Sequence, residues 1–204
     1  MGQPPHVFTC TTHQPLPVRS GKGDFYCFNC VVEEHQSQAY NLAGRILGDW
    51  NLAEDALQEA FLSAYRAFSS FRGGNLRGWL MRIVSNACLD MLRARKARPS
   101  VSLEETLEAV GADFTISPEQ SPEEQALTGE LGKVIQDGLK GLPEEQRLAV
   151  VLVDIQGYSY EEAADISGVS LGTIKSRISR ARAALRDFLR QHGELLPSQF
   201  RQSK

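Results

Sequence analysis

The 204-residue chain lacks any apolar run approaching the ~18 residues from which a membrane-spanning helix is read, so no membrane insertion is expected. Its first residues, with Pro4 and Pro5 and no apolar segment, are not those of a secretory leader. A cytoplasmic protein is therefore expected. With only four cysteines, and no base or oxyanion element set beside them, a thiol-dependent enzyme is disfavoured and no catalytic residue is assigned.

An excess of positive charge is also missing, since the formal net charge is −3. That would argue against nucleic acid if the charge were spread evenly. Residues 35–98 carry nine Lys/Arg and five Asp/Glu, or +4, and residues 126–204 carry eleven and ten, or +1. Residues 99–125 carry no cation and seven acids, or −7, and residues 1–34 carry two and three, or −1. The acid is concentrated in one connecting segment, leaving two regions compatible with DNA.

What is present is clearest from Tyr158 to Arg190. Ser159 followed three residues later by Glu162 is a capping box, which starts a short helix ending near Ser167. Gly168-Val169-Ser170 follows as a turn, and Ser170 is placed to cap a second helix. In that helix Leu171, Ile174, Ile178, Ala181, Leu185 and Phe188 recur at steps of three and four and form one apolar face. The opposite face carries Thr173, Ser176, Ser179 and Arg180, flanked by Lys175, Arg177, Arg182, Arg186 and Arg190. From Leu171 to His192 there are six Lys/Arg against one acid, Asp187. Cations at the edges and small hydroxyls in the middle suit a DNA major groove, the former for phosphates and the latter for close approach to base edges. A solvated basic helix is the competing reading.

The rest of the chain reads as helices as well. From about Phe28 the apolar set Val31, Val32, Ala39, Leu42, Ala43, Ile46 and Leu47 gives a long amphipathic helix interrupted at Gly48-Asp49. A second is predicted from Ala53 to Phe68, with Glu54, Asp55, Gln58 and Glu59 on its outer face, where acids also suit a first helical turn. The loop Phe71-Arg72-Gly73-Gly74-Asn75 leads into a third, Leu76 to Arg95, with Arg77, Arg82, Asn86, Asp90 and Arg93 on its polar side. Cys88 lies in that helix and reads as a small core residue. Helices resume at 123–139, and Pro143 fits the first turn of another that ends at Gly157.

The fold class is thus all-α: two small helical domains joined by a flexible acidic linker, the second containing the helix-turn-helix. The expected boundaries are an N-terminal extension over 1–30, a helical domain over 31–98, a linker over 99–122, the helix-turn-helix domain over 123–192 and a tail over 193–204. In the extension, Cys10-x2-His13 and Cys27-x2-Cys30 are separated by thirteen residues, which matches the spacing of a tetrahedral zinc knuckle. A redox dithiol at Cys27/Cys30, incidental cysteines and a leader ahead of the true start codon compete with it.

The strings Ala39-Tyr40-Asn41-Leu42-Ala43-Gly44-Arg45-Ile46-Leu47-Gly48-Asp49, Ala53-Glu54-Asp55-Ala56-Leu57-Gln58-Glu59-Ala60-Phe61 and Phe71-Arg72-Gly73 before Trp79-Leu80 make the first half resemble a bacterial sigma factor of the extracytoplasmic-function group. Leu142-Pro143-Glu144-Glu145-Gln146-Arg147, the run Asp154 to Glu162 and Gly172-Thr173-Ile174-Lys175-Ser176-Arg177 do so for the second half, and the resemblance covers about residues 31–190. It implies a protein that binds core RNA polymerase and promoter DNA, is held in some cases by an anti-sigma factor, and needs no cofactor. It further implies that Asp49, Glu54, Asp55, Gln58 and Glu59 face the polymerase. By the same resemblance Phe71, Arg72, Arg77, Arg82, Asn86, Asp90 and Arg93 read the −10 element, and Thr173, Lys175, Ser176, Arg177 and Arg180 the −35 element. The Cys/His extension has no counterpart in that pattern. A stand-alone helix-turn-helix regulator, binding a palindromic duplex operator without polymerase, is the rival reading.

Overall fold

The computed structural model describes residues 18–19, 25–97 and 122–192. Among them the regular structure is helical except for two two-residue strands, β1 (Val18–Arg19) and β2 (Phe25–Tyr26), paired antiparallel with Val18 opposite Tyr26 and Arg19 opposite Phe25. Seven α-helices follow: α1 (Phe28–Leu47), α2 (Trp50–Phe68), α3 (Leu76–Ala97), α4 (Pro122–Lys140), α5 (Glu144–Val150), α6 (Tyr160–Ser167) and α7 (Leu171–Arg190). Cys10, His13, most of the acidic connector and the tail lie outside the described residues.

Local chemistry sets the helix ends. Gly48 closes α1 at φ +72°, a left-handed conformation that costs a glycine little, with its N–H donated to the Gly44 carbonyl. The Asp49 carboxylate caps α2 by accepting from the N–H groups of Asn51 (3.0 Å) and Leu52 (3.3 Å), so α2 begins at Trp50, three residues before the expected Ala53. After α5 the chain does not continue as a regular α-helix to Gly157. Residues Val151–Ile155 form a π-helical turn, with the Gln156 N–H bonded to the Val151 carbonyl at 2.9 Å.

Helices α1–α3 pack on one another around Leu42, Ile46, Phe68, Leu80, Met81 and Val84, and α4–α7 around Leu139, Leu152, Ile166, Ile174 and Ile178. Removing each such side chain from water contributes roughly 1.5–3 kcal/mol before entropy is charged against it. Cys88 is fully buried in the first group, and burial pushes its thiol up to about 12. The two groups also pack against each other, and their buried residues form one continuous cluster.

Candidate nucleic-acid interface

The helix-turn-helix forms as its sequence demands. The Ser159 hydroxyl accepts from the Glu162 N–H (3.1 Å) while the Glu162 carboxylate accepts from the Ser159 N–H (3.0 Å), completing the capping box at α6. Gly168 ends α6 at φ +67°. Ser170 then accepts from the Thr173 N–H at 3.2 Å and starts α7. Ile174, Ile178 and Ala181 are buried, which fixes the rotation of α7 and turns Lys175, Ser176, Ser179 and Arg180 to solvent.

Within the expected −35 set the five side chains are placed differently. Lys175, Ser176 and Arg180 stand exposed, while Thr173 is half-buried and its hydroxyl shares a 2.9 Å hydrogen bond with Ser170. Arg177 turns inward: its side chain is 19% exposed and it donates to Glu145 at 2.6 Å. Arg182 makes a two-pronged pair with Asp154 at 2.5 and 2.9 Å, and that hydrogen bonding raises its already high pKa. An open groove of about 510 Å³ runs along α7, lined by Tyr160, Lys175, Ser179, Arg182 and Arg186 among others. Three cations along one groove suit a phosphate backbone.

On α3 and the loop before it the expected −10 residues share one region, with one exception in role. Arg72, Arg77, Arg82, Asn86, Asp90 and Arg93 are exposed, and Asp90 and Arg93 pair with each other at 2.9 Å. Phe71 is not a surface aromatic. It is 7% exposed, with its ring centroid 5.3 Å from that of Trp79, and so anchors the loop to the core. Of the residues expected to face the polymerase, Glu54, Asp55, Gln58 and Glu59 form an exposed row on α2, whereas Asp49 is occupied as its N-cap.

The contacts between the two helical groups bring together residues that local sequence patterns did not pair. The Arg77 guanidinium lies 4.4 Å from the centroid of the Tyr158 ring, and its Nε donates to Gln38 at 2.8 Å. Burial pushes the Tyr158 hydroxyl above its ordinary pKa, and the nearby Arg77 charge opposes that rise. Asn75 reaches Glu162 at 3.5 Å, and the Gly168 turn approaches Arg82 so closely that a Cβ there would lie 3.2 Å from its Nη2. Deeper in, Arg45 and Gln136 exchange hydrogen bonds of 3.1 and 3.3 Å. The loop and helix expected to read −10 thus touch the first helix of the helix-turn-helix. No sequence spacing marks these pairs.

Comparison with known proteins gives matches over both groups. Residues 31–98 match the family model of Sigma-70 region 2, and residues 133–185 match that of Sigma-70, region 4. The chain is 41% identical over 162 residues to the ECF RNA polymerase sigma factor SigE of Mycolicibacterium smegmatis, an alignment that covers 79% of this chain and 61% of that protein. With the ECF RNA polymerase sigma-E factor of Escherichia coli it shares 37% identity over 177 residues, 85% of this chain and 92% of the other. A solved structure of the sigma factor RpoE of Bartonella quintana, in complex with the anti-sigma factor NepR, superposes with a TM-score of 0.62 at 29% identity, covering 79% of this chain and 96% of that one.

Proposed function

The chain belongs to the sigma-70 family, in its extracytoplasmic-function group, and from that membership we propose that it binds core RNA polymerase and directs promoter-specific initiation by recognising −10 and −35 elements. It works in the cytoplasm, where the polymerase is, and contributes recognition without catalysis of its own. Among the described residues no helix is long and apolar enough to cross a membrane.

The observation that carries this reading is the capped helix-turn-helix with a buried inner stripe and the exposed row Lys175, Ser176, Ser179 and Arg180, in one chain with the exposed acids of α2. In this proposal α7 enters the major groove at −35, where cations meet phosphates and the hydroxyl of Ser176 allows close approach to bases. Arg72, Arg77, Arg82 and Asn86 meet the −10 strand, and Glu54, Asp55, Gln58 and Glu59 meet the polymerase. Polar edges there let a base already freed by melting be read at little further unpairing cost.

The packed arrangement of α3 on α6 is a resting state in this reading. Elements at −10 and −35 are separated by about 25 base pairs, or about 85 Å of B-form DNA. Two helical groups whose side chains approach within 3.5–4.4 Å of each other cannot reach both elements at once. The 24 residues from 98 to 121 that join α3 to α4 have an extended reach of about 80 Å, comparable to that separation. An anti-sigma factor, such as the one bound to the Bartonella quintana protein, is the class of partner that would hold the two groups together.

Run-off transcription from genomic promoter fragments with added core polymerase tests the function. Initiation at defined starts that requires both core and this chain is expected. Tight operator binding by the chain alone, with no transcription on adding core, would instead establish the stand-alone regulator.

A further inference from the structure

We propose that α6 is a built-in competitor of single-stranded DNA: packed on α3, it sets the Glu162 carboxylate where the −10 strand would run, and so closes the free chain to that strand. The proposal rests on the reading above, in which Arg77, Arg82 and the loop before α3 meet the −10 strand. The two helix starts hold each other. One oxygen of Glu162 accepts from the Ser159 N–H at 3.0 Å and completes the capping box of α6, while the other accepts from the Asn75 side-chain amide at 3.5 Å. Asn75 is itself the residue that starts α3, since its Oδ1 accepts from the Gly78 N–H at 2.8 Å and its main-chain carbonyl from the Trp79 N–H at 2.9 Å. Each residue caps its own helix and turns its remaining polar atom to the other.

Charge and position both suit a competitor. Helix α6 carries Glu161, Glu162 and Asp165 and no Lys or Arg, and the part of α3 it meets presents Arg77 and Arg82. At the start of α6 the Arg77 guanidinium lies over the ring of Tyr158, two residues before the helix. At its end the Gly168 turn comes so near Arg82 that a Cβ there would stand 3.2 Å from Nη2. The helix therefore lies along α3 from Asn75 and Arg77 to Arg82. A strand whose phosphates met both arginines would need the space that α6 fills, and its oxygens would replace a carboxylate that accepts hydrogen bonds as a phosphate does.

The contact is also made to open. The Asn75–Glu162 hydrogen bond is long, and Asn75, Arg77 and Arg82 are all exposed. Next to the Gly168 turn, the buried hydroxyl of Ser167 has no hydrogen-bond partner among the described residues. The inner contact between the groups, Arg45 with Gln136, lies on α1 and α4, away from this edge.

The test measures, by fluorescence anisotropy, binding of the full chain to a labelled thymidylate strand of ~16 nucleotides, the upper end of a single-strand site. Glu162→Gln removes the charge but keeps the capping box, which glutamine also forms. It is expected to tighten binding by the free chain about threefold, the scale of one exposed charge contact. Glu161→Gln, the same charge change at the neighbouring exposed position of α6, should bind as the wild type does. In an Arg82→Ala background Glu162→Gln should gain nothing, which places the effect on α3. Equal affinity of Glu162→Gln and wild type would overturn the proposal, as would an equal gain in Glu161→Gln or a gain that survives Arg82→Ala. Failure of the sigma-factor reading shows separately, as absence of run-off initiation by the wild-type chain with core polymerase. Initiation by the wild type with no gain in Glu162→Gln would leave that reading standing and remove the competitor alone.

Discussion

Arg147 donates from Nη1 to the main-chain carbonyl of Ile46 at 2.6 Å, across 101 positions of sequence. The same guanidinium donates from Nη2 to the carbonyls of Lys140 (2.8 Å) and Leu142 (3.2 Å). One side chain therefore satisfies carbonyls near the C-terminus of α1 and at the α4–α5 turn, where helices leave acceptors unpaired. It is 7% exposed, and burial lowers its pKa, although a guanidinium stays charged across the working range.

Arg147→Ala removes the donor and leaves those buried acceptors without it. A hydrogen bond to a charged group contributes ~1.5–3 kcal/mol, and the three share one donor, so a loss of about 3 kcal/mol is expected. For a chain of this size that lowers Tm by roughly 6–12 °C. Arg147→Lys, which replaces the fork by one ammonium, should fall between. Urea unfolding of the full chain measures both, and an alanine variant within 0.5 kcal/mol of wild type would mean the fork contributes nothing to holding the groups together.

Gly44 sits under the Trp50 indole. A Cβ built at Gly44 would lie 2.0 Å from Cζ3 of that ring, and Tyr40 packs against the same indole at a 5.1 Å centroid distance. Gly44→Ala must push the indole aside, an overpacking cost of about 1–3 kcal/mol that outweighs any gain in helix propensity. Red-shifted tryptophan emission together with a lower urea midpoint is the expected result. Unchanged emission would show that the ring has room to move.

How far the sequence could lead differs from one residue to the next. The helix-turn-helix was legible because its signals are local: Ser159 and Glu162 cap within three residues, Gly168 turns, and Ile174, Ile178 and Ala181 repeat at helical spacing. The π-helical turn at Val151–Ile155 was not, since apolar residues in a buried helix read alike in either register. Phe71 is placed at the DNA by the family resemblance alone, which carries no information on burial, and its burial depends on Trp79, eight residues on. Arg177 was expected on the outer face because helical geometry alone cannot show that Glu145, 32 residues earlier, draws it inward. Arg147 and the pairs Asn75–Glu162 and Arg77–Tyr158 join segments 80 or more residues apart in most cases, and no periodicity encodes them.

Loosening α3 from α6 should shift the resting arrangement. Arg77→Ala removes a cation–π contact worth ~0.5–1 kcal/mol, so the open population should rise by up to about fivefold. Energy transfer between dyes on exposed Ala97 and Gln191 reports it in the full chain. A longer-distance population that grows in the variant is expected, and identical distributions would remove Arg77 from the latch.

The two arginines of α7 that lie three apart should behave differently on DNA. Arg180 is exposed and has the geometry to meet a phosphate, whereas Arg177 is half-buried against Glu145. In holoenzyme bound to promoter DNA, Arg180→Ala is expected to reduce the salt dependence of binding by about one charge and to weaken binding across sequences alike. Arg177→Ala should leave that slope unchanged and cost at most ~1 kcal/mol of stability, since a partly exposed ion pair contributes little. A salt series from fluorescence anisotropy separates the two. If the slope falls with Arg177→Ala and not with Arg180→Ala, the Glu145 pair must open on binding, and the inner row of α7 faces the phosphates.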